Sequence, residues 1–81
     1  MAKTRQSILK NIDRYQSLIE DNEVLRNKDD AQFQIARIVL EQLMKPVKAV
    51  EEFRKVVANY PKSDVADDAQ LAIGKALLSL N

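Results

Sequence analysis

Apolar side chains recur every three or four positions in four separate stretches of this chain, the spacing that places them on one face of an α-helix. In the first stretch Ile8, Leu9, Ile12, Tyr15, Leu18 and Ile19 form the stripe, and Lys10, Arg14 and Gln16 lie outside it. This pattern predicts a helix over residues 3–20, interrupted at Asp21-Asn22. A second helix is predicted over 27–44, with Asn27 as its N-cap and Asp29 and Asp30 in the first turn, where negative charge suits the helix dipole. Val24 and Leu25 fall in the connector or in an early turn of that helix. The third is predicted over 46–60. It opens on Pro46, which has no N–H to lose there, and carries Val47, Val50, Phe53, Val56 and Val57. Pro61 stops it, because proline disfavours the helical region for the residue before it. Ser63 is a good N-cap for a fourth helix over 64–80, with Asp64, Asp67 and Asp68 in its opening turns.

These stretches are copies of one another. Asp29-Asp30-Ala31-Gln32 returns 38 residues later as Asp67-Asp68-Ala69-Gln70, and the likeness continues through Ile35/Ile73, Ala36/Gly74, Arg37/Lys75 and Leu40/Leu78. The same offset carries Leu9 onto Val47, Ile12 onto Val50, Tyr15 onto Phe53, Leu18 onto Val56 and Ile19 onto Val57. A fixed repeat of roughly 20–50 residues predicts stacked supersecondary units. The chain therefore reads as two units, each a helix, a connector and a second helix. A closed antiparallel four-helix bundle is the alternative, but a bundle needs no such copying.

Composition narrows the chemistry. The chain has 81 residues, long enough for one small domain of modest stability. It has no cysteine and no histidine, so disulfides, thiolate metal sites and the commonest general base are all excluded. One glycine and two prolines leave little turn chemistry for a sheet, and the abundance of alanine, leucine, lysine, glutamate and glutamine favours helix. Thirteen basic and twelve acidic residues give a net charge of +1, spread along the chain, without the basic stripe of a nucleic-acid binder. No apolar run approaches the roughly 18 residues of a membrane span, and the basic start Met1-Ala2-Lys3-Thr4-Arg5 has no apolar stretch behind it. The expected location is cytoplasmic if the chain is complete and open if it was cut from a longer protein.

The third helix and its exit carry a family resemblance. Ala49-Val50-Glu51-Glu52-Phe53-Arg54-Lys55-Val56-Val57-Ala58-Asn59-Tyr60-Pro61-Lys62-Ser63, followed by Ala66-Asp67-Asp68-Ala69, resembles a tetratricopeptide repeat. The similarity is greatest to the sub-type of bacterial outer-membrane assembly and Tol–Pal accessory proteins, some of which are periplasmic. It covers residues 29–81 well and 6–28 weakly, since Asn22-Glu23 stands where Tyr60-Pro61 stands later. The resemblance implies an all-α fold, a right-handed superhelix of four helices open at both ends, with Ala36 and Gly74 letting helix backbones approach closely.

It also implies a groove that binds peptides. Phe33, Gln34, Arg37, Leu40 and Glu41 from the second helix would face it, with Asp68, Leu71, Lys75, Leu78 and Ser79 from the fourth. Arg37 and Lys75, one repeat apart, suit an acidic peptide or a terminal carboxylate. Catalysis is not expected. Asp64, Asp67 and Asp68 at i, i+3 and i+4 could converge on a hard cation, but complementing the dipole at a helix start explains them more simply. No cofactor and no metal are expected.

The ends of the array are the sharper feature. The last helix carries Leu71, Ile73, Leu77, Leu78 and Leu80, more than one buried stripe uses, where a soluble array normally has a polar outer face. Covering three or four such side chains is worth roughly 5–10 kcal/mol before association costs. Self-association is expected, with Leu77 and Leu80 of one subunit docking on Ile8, Ile12 and Tyr15 of another. Repeated head to tail this contact makes a filament or a ring, and a two-fold dimer is the variant. Neighbouring units of a longer parent chain are the remaining alternative. The partner expected for the chain is thus a protein or peptide.

Overall fold

The computed structural model describes residues 4–21 and 27–80. It contains four α-helices: α1 (Arg5–Glu20), α2 (Lys28–Glu41), α3 (Pro46–Asn59) and α4 (Asp64–Ser79), with no strand among the described residues. Lys3, Asn22, Glu23, Val24, Leu25 and Asn81 lie outside the described residues, so the expectations for them have no structural counterpart here.

Local chemistry sets the boundaries. Thr4 caps α1 by accepting a hydrogen bond from the Ser7 amide at 3.1 Å, and the Ser7 hydroxyl donates back to the Thr4 carbonyl at 3.0 Å. Ser63 caps α4 by accepting from the Val65 amide. Pro46 occupies the first turn of α3, as its fixed φ allows. Asn27 precedes α2 without capping it. Its φ is 65°, its side chain accepts no capping bond, and its role is to turn the chain in a left-handed conformation that asparagine tolerates.

α2 ends at Glu41, three residues before the predicted Met44. Pro46 disfavours helix at Lys45, so the chain must reverse before it. The reversal is made at Met44, with φ 56°, and is tied off by the amides of Leu43 and Lys45 donating to the carbonyls of Ile38 and Val39, each at 3.0 Å.

The core lies among α2, α3 and α4. Ile35, Ala36 and Val39 of α2 meet Ala49, Val50, Phe53 and Val56 of α3 and Ala69, Ile73 and Ala76 of α4. Ala36, Ala49 and Ala69 are fully buried, which lets the three backbones approach closely. Ile12, Tyr15 and Ile19 of α1 pack against the edge of this core. Each helix packs on its neighbours in sequence, α2 also touches α4, and α1 reaches neither α3 nor α4 among the described residues. A closed bundle would seat α1 beside α4, so the arrangement is an open one. Among the described residues α2 packs against all three other helices, α3 and α4 each pack against two, and α1 packs against α2 alone.

Candidate interaction surfaces

Two depressions flank α2, and adjacent residues of that helix line different ones. Phe33, Arg37, Leu40 and Glu41 line the first, together with Asp68, Leu71, Ala72 and Lys75 of α4. Its volume is about 240 Å³ and Phe53 of α3 forms its floor. The Phe53 ring is almost wholly buried and meets the half-buried Phe33 edge to face, with centroids 5.5 Å apart and planes at 62°. Charged groups stand around this apolar floor. Arg37 pairs with Glu41 at 3.6 Å, an exposed i,i+4 contact worth little by itself, and Lys75 has no ion-pair partner among the described residues.

The second depression, about 430 Å³, lies between α1 and α2 and is lined by Asn11, Arg14, Tyr15, Gln34, Ile38 and Gln42. Gln34 therefore does not belong with Phe33, which corrects its placement in the peptide groove. Successive helical residues point about 100° apart, so Gln34 shares a strip with Ile38 and Gln42 on the flank facing α1. Leu78 is also absent from the lining of the first groove and is 73% exposed. Phe53 and Ala72 line that groove without having been singled out for it. Their 38-residue counterparts, Tyr15 and Gln34, border the other depression together, so the repeat could have linked the pair.

A polar chain crosses the core nearby. The buried Gln32 amide donates to the Glu52 carboxylate at 2.9 Å, and Lys55 donates to the other Glu52 oxygen at 3.0 Å. This pins α2 to α3. A second tie joins α2 to α4, where the Ser63 hydroxyl donates to Asp29. That bond, helped by the Asp30 amide, holds the Asp29 carboxyl below its ordinary value against a smaller opposing effect of burial. No group of three or more aspartates or glutamates among the described residues is placed to hold a metal ion.

The residues of α1 expected to dock a second subunit already make contacts within the chain. Ile8 is buried within the chain, and Ile12 and Tyr15 are half-buried and packed on the chain's own core. Leu77 and Leu80 at the other end are 43% and 45% exposed. Gly74 does not mediate a close approach of helices. A Cβ built on it meets nothing within 4 Å, whereas its counterpart Ala36 is fully buried. No helix among the described residues is long and apolar enough to cross a membrane.

Searches of protein-family models, of curated proteins and of solved structures returned no match to this chain.

Proposed function

We propose that this chain is a non-catalytic protein-interaction module, a tetratricopeptide-like right-handed array whose working surface is the groove between α2 and α4. The observation that carries this reading is the groove itself, with an apolar, aromatic floor at Phe33 and Phe53 beneath a rim holding Arg37 and Lys75. A concave apolar surface with a few placed charges orients a short segment of another protein by its side chains and its charge. The array reading is supported by the 38-residue correspondences, which recur in space: Tyr15 shares a depression with Gln34, and Phe53 shares one with Ala72.

The favoured ligand is a short acidic peptide with aliphatic side chains and a free terminal carboxylate. Arg37 is partly neutralised by Glu41, so Lys75 supplies most of the unpaired positive charge. Asp68 and Glu41 line the same groove and set against a uniformly acidic ligand, favouring one or two anionic groups near Lys75. The test is an NMR titration of the isotope-labelled chain with such a peptide. The amides of residues 33–41 and 68–75 are expected to shift together and saturate, and Lys75→Glu is expected to weaken binding about tenfold, or about 1.4 kcal/mol. An absence of shifts at millimolar peptide, or shifts confined to α1, contradicts the assignment.

A further inference from the structure

The strip Gln70–Gly74–Leu77, spaced i, i+4, i+7 along α4, is exposed from end to end. Its counterpart on α2, Gln32–Ala36–Val39, is buried from end to end. The same side-chain pattern has a cover in one place and none in the other. The cover on α2 can be identified. α1 bears to α2 the relation in sequence that α3 bears to α4, so what α1 contributes to α2 already has its equivalent at α4. The remaining helix packed directly along α2 is α3, and the buried bond from Gln32 to Glu52 fixes it over this strip.

The missing cover is therefore a helix like α3. We infer that the Gln70–Gly74–Leu77 strip is a docking site for an amphipathic helix patterned on α3. The contact face of that helix follows the α3 pattern: a small residue, an acid three positions on, an aromatic next to it, and a β-branched residue three beyond the aromatic (Ala49, Glu52, Phe53, Val56 in α3). The acid is specified by Gln70, whose amide has the place that Gln32 has opposite Glu52. Bare backbone at Gly74 admits the small residue.

A second copy of this chain is a poor occupant. Among the described helices α1 is the one that the 38-residue offset aligns with α3, and there Asn11 and Arg14 stand where α3 has Ala49 and Glu52. Arg14 is exposed and brings a cation in place of the required acceptor, while Ile12, Tyr15 and Ile19 are packed on the chain's own core. The inference extends the interaction-module reading to a surface beside the groove.

The test uses the intact chain and a labelled synthetic peptide with the sequence of residues 46–60, read by fluorescence anisotropy. Saturable binding below about 1 mM is expected. It is expected to weaken at least tenfold with Gly74→Trp, and with Glu52→Lys in the peptide. Gly74→Trp fills open space, so an unchanged helical circular dichroism spectrum is expected alongside; should that variant misfold, Gln70→Lys is the second block. Lys75→Glu, which reads the groove, is expected to leave this binding unchanged. No saturation, or indifference to both strip variants, overturns the inference. Loss with Lys75→Glu alone overturns it too, placing the helix in the groove and leaving that reading intact. Sedimentation showing a dimer that Gly74→Trp abolishes gives the strip to a second copy and equally overturns it.

Discussion

α2 and α4 share a pattern and differ in company. Ala31 and Ala69 are both buried, as are Ile35 and Ile73, because each helix packs one flank on a neighbour. On the next flank the likeness ends: Gln32, Ala36 and Val39 are buried, while Gln70 and Gly74 are exposed and Leu77 is 43% exposed. Burial is thus a property of the neighbour and not of the residue type. The pattern on α4 has the residues of a core strip without the helix that would make it one.

The comparison of equivalent positions can be pressed by mutation. The largest effect is expected at Phe53, which is almost wholly buried between three helices, where Phe53→Ala costs about 3–5 kcal/mol. Its counterpart Tyr15 sits half-buried at the edge, so Tyr15→Ala costs about half as much in urea denaturation. Equal losses at the two sites would mean that the first unit is packed as fully as the second.

Gln32→Ala removes a donor from the buried Glu52 carboxylate and is expected to cost about 1–3 kcal/mol. Gln70→Ala, on an exposed helical surface, is expected to change stability by no more than about 0.5 kcal/mol. Thermal melts of the two variants side by side distinguish a covered strip from an open one.

The smallest effect is electrostatic. The folded carboxyl of Asp29 is held below its unfolded value, so its contribution to stability is complete above the ordinary aspartate range and lost as pH falls through the lowered folded value. Asp29→Ala is therefore expected to be less stable than the parent chain at neutral pH, by on the order of 0.5 kcal/mol after solvent screening, and to match it in strong acid.

Much of this was legible from spacing. The four stripes and the prolines located every helix to within three residues, because periodicity and the constraint at proline are local effects. The α2 terminus was overrun because its reversal uses Met44 in a left-handed conformation, and a methionine gives no sign of that. Asn27 read as a cap for the same reason: the side chain that favours capping also favours the left-handed turn it makes.

Misplacements at the candidate sites have one physical cause. A helical pattern shows which residues share a strip but not which neighbour that strip faces. Gln34 was assigned beside Phe33, although a rotation of about 100° carries it to the α1 flank. Ile8 belongs by pattern to the same open stripe as Leu9, yet Ile8 is buried within the chain while Leu9 stays exposed. Gly74 was read by its type as a close-packing residue, and only its surroundings show that nothing packs there.

The most direct measurement is the stability of Ala36→Leu and Gly74→Leu, determined by urea denaturation under identical conditions. Ala36 is fully buried, so a leucine there must displace packed neighbours and is expected to destabilise the fold by about 1–3 kcal/mol or more. At Gly74 the new side chain meets open space and a better helix former replaces glycine, so stability is expected to rise by about 0.5–1 kcal/mol. Opposite signs at these equivalent positions are what one covered and one open strip require. A loss of similar size at both would contradict it, because it would mean that α4 is already covered in solution.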